Sequence, residues 1–148
     1  MSKGVCFFAY NNEELDYIKF ALFAANQIKK HFKQHNNTAL ITDYDGKGYL
    51  ESMYSTKEIE KLFDHVIVDK TNYANHDNMR FHFDTAYTEF KAPFKNRQKH
   101  DVYWLSPFEQ TLLLDIDYIV QSNHLEYLLE DNNEQPVQMF DNAHYLKY

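Results

Sequence analysis

Glycine and proline are scarce in this 148-residue chain, at three each, and there is a single cysteine. Scarce glycine removes the phosphate loops that depend on it. The chain contains no G-x-G-x-x-G and no G-x-x-x-x-G-K-[ST], so neither a dinucleotide fingerprint nor a P-loop is available. One cysteine excludes a disulfide scaffold within the chain, and a reducing, cytoplasmic setting is the expectation that follows. Cys6 sits in the apolar run Val5-Cys6-Phe7-Phe8 and reads as a small buried hydrophobe rather than a nucleophile. Basic residues are also in deficit, with 15 Lys and Arg against 22 Asp and Glu and a net charge of −7. That balance argues against a nucleic-acid partner, which calls for a basic stripe. No apolar run approaches the length of a membrane span, and Met1-Ser2-Lys3-Gly4 leads directly into a strand-like run. Neither a leader nor a membrane span is therefore expected.

What the chain does have is apolar and aromatic. Hydrophobic residues make up 44%, with 12 Tyr and 12 Phe, enough for one ordered domain across residues 1–148. Residues 4–10 form a short, nearly all-apolar run that predicts a strand covered on both faces. Asn11 and Asn12 break that strand and are suited to start a helix, with Glu13 and Glu14 in its first turn. The predicted helix runs from 13 to 34 and carries Leu15, Ile18, Leu22, Ala25, Ile28 and Phe32 on one stripe. Thr38-Ala39-Leu40-Ile41-Thr42 predicts a second strand ending at Asp43, and the stretch 44–54, with Gly46 and Gly48, a loop. A short helix over 56–63 and a third strand, His65-Val66-Ile67-Val68, follow. Strands alternating with helices over short connections predict a mainly parallel α/β sheet of the Rossmann-like kind. Residues 70–103 are polar and aromatic and predict loops with one or two helices. After Ser106-Pro107 the pattern predicts a strand over 110–115, a helix over 123–130 opened by Ser122, and a last strand over 137–140.

The most chemical stretch is Thr111-Leu112-Leu113-Leu114-Asp115-Ile116-Asp117. An apolar run ends in two carboxylates one residue apart, which in an extended chain share a face, roughly 6–7 Å apart at the α-carbons. Such a pair holds a hard divalent cation, directly or through water, against a phosphate-bearing ligand. An acidic protein that binds a diphosphate needs local cations, and an ion on Asp115 and Asp117 would supply them. The plainer alternative is a strand end whose acids merely cap the next loop. Asp43, at the end of the second strand, would face the same sheet edge and there contact a ribose or base, or serve a turn. Tyr10 and Tyr17 could lie against a base, with packing on the helix as the alternative for Tyr17. His76, Asp77, His82 and Asp84 match no zinc spacing and read as solvated residues. The basic patch Lys91, Lys95, Arg97, Lys99 and His100, interleaved with Phe90, Phe94 and Tyr103, reads as one phosphate-contacting loop.

This order of elements, with an acidic pair closing a late strand, resembles the nucleotide-binding half of GT-A-fold glycosyltransferases, in particular the glycogenin-like and galactosyltransferase-like retaining enzymes. Four stretches carry the likeness: Phe8-Ala9-Tyr10-Asn11, Asp16-Tyr17-Ile18-Lys19-Phe20-Ala21-Leu22, Phe63-Asp64-His65-Val66-Ile67-Val68, and Leu114-Asp115-Ile116-Asp117-Tyr118-Ile119-Val120 continuing through Asn123-His124-Leu125. Only the acidic stretch is specific, since the others would fit many α/β proteins. The resemblance implies that Asp115 and Asp117 bind Mn2+ or Mg2+, bridging the two phosphates of a nucleotide-diphosphate sugar, with a uridine diphosphate sugar as the usual donor. It further implies a nucleotide pocket at Ala9, Tyr10 and Asn11, an aromatic at Tyr17 against the base, and an assisting lysine, for which Lys91 is the match with Lys95 and Arg97 as rivals. The implied reaction is sugar transfer, with retention, to an unknown acceptor. Enzymes of that family are longer, and their second half supplies the acceptor site and a metal-binding histidine with which His144 is not equated. The alternatives are a catalytically incomplete nucleotide-sugar-binding module, completed by a second copy or another chain, and a structural α/β domain. A haloacid-dehalogenase-type phosphatase also uses D-x-D, but in its first strand, and here the motif comes late.

Overall fold

The computed structural model describes residues 2–70, 79–85, 88–93 and 97–130, and between 79 and 98 the main chain alone. The strand predicted over 137–140, together with His76, Asp77, Phe94, Lys95 and His144, lies outside the described residues. The elements are β1 (Lys3–Phe8), α1 (Tyr17–His31), β2 (Thr38–Thr42), α2 (Tyr44–Met53), α3 (Thr56–Leu62), β3 (His65–Val68), β4 (Met79–Thr85) and β5 (Thr88–Pro93). A 3-10 turn (Arg97–Asp101) then leads into α4 (Val102–Leu105) and β6 (Gln110–Leu113), and a second 3-10 turn (His124–Glu126) into α5 (Tyr127–Glu130).

Four strands form one sheet in the order β3-β2-β1-β6, and every pairing is parallel. The chain is thus an α/β protein with a helix-flanked parallel sheet, as the alternation of apolar runs and helical stripes predicts. The two central strands are buried on both faces, with Val5, Cys6, Phe7, Ala39, Leu40 and Ile41 fully enclosed. Their alternation splits the core in two. Val5, Phe7 and Leu40 pack beneath α1 with Ile18, Leu22 and Ile28. Cys6, Phe8 and Ile41 face the opposite layer, where Phe108 and, from α4, Val102 and Leu105 cover them. Burial pushes the Cys6 thiol up to about 11, against a lowering contact from Ser106, which fits a packed hydrophobe.

Several local boundaries differ from expectation for identifiable reasons. Helix α1 starts at Tyr17, capped by the Asp16 carboxylate on the Lys19 N–H at 3.2 Å, rather than at residue 13. Asn12 instead accepts the N–H groups of Glu14 and Leu15, and Asn11 accepts that of Ile18, folding the approach to the helix into a turn. Leu15 is therefore 46% exposed and does not join the apolar stripe. The stretch 44–54 is helix α2, not a loop. Asp43 caps it by accepting the Gly46 N–H at 2.7 Å, and two glycines do not outweigh that cap and the burial of Leu50. Residues 70–103 contain an unexpected antiparallel hairpin, β4 paired with β5, while the 3-10 turn and the start of α4 supply the one or two helices expected there. The helix expected over 123–130 is divided between the second 3-10 turn and α5.

Gly46 marks a close approach of α2 to the sheet. A β-carbon there would collide with the Thr42 side chain and lie 3.0 Å from the Asp43 carboxylate. Gly46→Ala is therefore expected to lower stability by about 1–3 kcal/mol, despite alanine's better helix propensity. Urea denaturation reads the change, and a stabilised variant would show that α2 does not sit this close.

Candidate functional site

Because all four strands are parallel, their carboxyl ends share one edge. The chain runs outward from β1 through β2 to β3, then returns to place β6 on the other side of β1. Strand order thus reverses between β1 and β6. In open α/β sheets, ligands occupy the crevice beyond the carboxyl ends of the strands at such a reversal.

From β1, the chain reaches this edge as Ala9, Tyr10 and Asn11. Ala9 is buried and donates its N–H to the Ile41 carbonyl at 3.1 Å. Tyr10 is half-buried, its ring stacked on Phe8 and its hydroxyl donating to Asp69 at 3.0 Å. Burial, followed by the nearby charges of Asp69, Asp43 and Asp101, drives the Tyr10 hydroxyl far above its ordinary range, so it remains a donor. Asn11 is spent on structure: besides accepting from Ile18, it donates to Asp16 at 3.1 Å. Asp16 also accepts the Tyr49 hydroxyl at 2.6 Å. An open pocket of about 310 Å³ lies here, bounded by Asn11, Glu13, Asp16 and Tyr49 among others. Tyr17 packs against the core under α1, its ring tilted against Phe20 with centroids 6.4 Å apart. Asp43, after β2, serves as the α2 cap.

From β6, the chain reaches the same edge at the acid pair. The strand ends at Leu113, and Leu114 extends the pairing by donating to the Cys6 carbonyl at 3.1 Å. Asp115 and Asp117 therefore follow the strand rather than lie in it, within a turn closed by the Tyr118 N–H on the Asp115 carbonyl at 3.0 Å. Leu112, Leu114 and Ile116 all pack toward the α1 layer, while Leu113 belongs to the opposite one. Asp115 meets the Lys99 ammonium, which the 3-10 turn before α4 presents. Both acids are exposed, Asp115 with 58% of its side chain in solvent.

Comparison with family models, with curated proteins and with solved structures returns no match.

Among the described residues, no three His, Cys, Asp or Glu side chains converge to form a cage for a metal ion. Two accessible carboxylates suit instead an ion of the Mg2+ kind, which takes one or two protein carboxylates and completes its shell from water and substrate phosphates. Residues Asp115 and Asp117 fit that donor set.

At this edge Asp69 was not expected from the sequence, and Lys99 was expected only as a member of the phosphate-contacting basic patch. Asp69 follows β3 directly, just as Asp43 follows β2, and that repeated strand-then-Asp pattern was the available signal. Lys99 was one of five basic residues in a patch, with nothing in its spacing to single it out. The main chain of Lys91 lies on β5, paired with Phe81 in the separate hairpin. Among the described residues, no helix is long and apolar enough to cross a membrane.

Proposed function

We propose that the chain binds a nucleoside diphosphate sugar, a uridine diphosphate sugar by the family resemblance, and transfers its sugar to an acceptor. In this reading Asp115 and Asp117 hold Mn2+ or Mg2+ at the carboxyl end of β6. One observation carries it: the acid pair leaves the sheet at the strand-order reversal, exposed to solvent and beside the end of β1. A strand followed by two solvent-facing acids at that location suits ligand binding better than loop capping, because among the described residues neither carboxylate caps a helix, and Asn123 holds the N-cap position of the turn that follows.

When bound, the ion supplies Lewis-acid stabilisation of the negative charge that develops on the departing diphosphate. The protein's own part is positional. The main chain at residues 9–11 borders the nucleoside, and the phosphates lie toward β6. The phosphate-contacting lysine that the resemblance matched to Lys91 is assigned in this proposal to Lys99, whose ammonium already stands beside Asp115.

The test is release of uridine diphosphate from a uridine diphosphate sugar, with water as the default acceptor. Release that requires Mn2+ and stops on chelation supports glycosyl transfer. Release unaffected by chelation would contradict the metal-dependent reading.

A further inference from the structure

Resting on that reading of the site, we propose that Lys99 is a built-in counter-ion that occupies the cation position of Asp115 and makes metal loading depend on the arrival of a diphosphate. Lys99 Nζ lies directly against Asp115 Oδ1. The contact is open to exchange, since 30% of the Lys99 side chain and 58% of that of Asp115 remain exposed. Its main chain is nonetheless well placed. The 3-10 turn that carries Lys99 runs straight into α4, whose Val102 and Leu105 are seated on the cluster of Cys6, Phe8 and Phe108. The ammonium is thus held near the acid pair by packing and not by a free loop.

An ammonium and a divalent cation cannot share one carboxylate cheaply, because like charges a few ångströms apart repel. In the free protein, an incoming ion must first displace Lys99 from Asp115 and leave that charge nearby. A diphosphate changes the exchange. It offers the displaced ammonium anionic oxygens as a new partner, while the ion gains Asp115 together with phosphate ligands. The ion and the diphosphate therefore favour each other's binding, and by linkage the coupling is the same in both directions. Lys99 is a positioning residue in this scheme and forms no bond to the ion.

Electron paramagnetic resonance of free Mn2+ measures ion binding with and without uridine diphosphate, in the wild type and in Lys99→Gln, Lys99→Arg and Asp115→Asn. An exposed ion pair contributes up to about 1 kcal/mol, so Lys99→Gln is expected to bind Mn2+ alone roughly fivefold more tightly. The same variant should lose a comparable part of the enhancement that the diphosphate gives. Lys99→Arg keeps the charge and should retain the weak binding of the wild type. Thermal unfolding followed by far-ultraviolet circular dichroism checks that each variant is folded. Unchanged Mn2+ affinity and unchanged coupling in Lys99→Gln, with weakened binding in Asp115→Asn, would overturn the counter-ion role and leave the metal site standing. Mn2+ binding that is unaffected in Asp115→Asn would remove the site itself, and this inference with it.

Discussion

Replacing both Asp115 and Asp117 by asparagine is expected to weaken Mn2+-dependent binding of uridine diphosphate by roughly 100-fold, or about 3 kcal/mol. The size follows from what is lost. Two anionic oxygen ligands become neutral amides, and the ion then has only phosphate and water to hold it. Fold stability should barely move, because both side chains are exposed and the turn that carries them is closed by main-chain groups, Tyr118 N–H on the Asp115 carbonyl. Loss of the Lys99 contact costs at most about 1 kcal/mol, as for other exposed ion pairs. Calorimetry and urea denaturation on the same double variant separate the two effects. Binding unchanged in a folded double variant would show that the acids do no more than solvate a turn.

Glu126→Ala is expected to act the other way, with a large cost in stability. Glu126 is 3% exposed and its carboxylate accepts three main-chain N–H groups at the end of α1. Lys33 donates at 3.0 Å to either oxygen, Gln34 at 2.5 Å and His35 at 2.8 Å. These donors come after the helix has ended and have no helical acceptor of their own. Alanine would leave all three unsatisfied, for a loss of about 3 kcal/mol, while Glu126→Gln keeps one acceptor oxygen and should lose about half as much.

The same carboxylate contributes to acid sensitivity. Burial raises the Glu126 pKa, the three N–H donors lower it, and the donors prevail, so it lies below its ordinary value of 4.5. A carboxylate depressed on folding adds stability above its unfolded pKa, and that increment disappears as pH falls through the folded one. Asp64, depressed in spite of its burial by Lys29 and the Thr38 N–H, acts in the same direction. The wild type should therefore weaken as pH drops below about 4.5, and Glu126→Gln should show a shallower decline with the Asp64 share retained. An identical acid slope in Glu126→Gln would contradict the assignment.

The parallel sheet was legible because β1 and β2 lie in largely apolar runs stopped by Asn or Asp, the pattern of strands covered on both faces, and Val66-Ile67-Val68 of the edge strand β3 repeats it in shorter form before Asp69. The hairpin was legible in principle and missed. Met79-Arg80-Phe81-His82-Phe83-Asp84 alternates apolar and polar residues with period two, but a stretch this polar, with His82 and Asp84 in it, reads equally well as a solvated loop. Helix α2 was hidden by Gly46 and Gly48, since nothing local reveals that Gly46 is needed to bring the helix onto Thr42. Glu126 could not be found at all from the sequence, because its partners lie more than 90 residues away and are main-chain groups of any residue type. At the site, the two acids stood out because they interrupt an apolar run. Lys99 did not, because only the path of the turn before α4 distinguishes it from the basic residues around it.

The most direct measurement is calorimetric titration of the wild-type protein with uridine diphosphate in the presence and absence of Mn2+. Saturable binding that appears only with the ion is the predicted result. Equal affinity without the ion, or no heat in either condition, would contradict a cation held by Asp115 and Asp117 at the sheet's carboxyl edge.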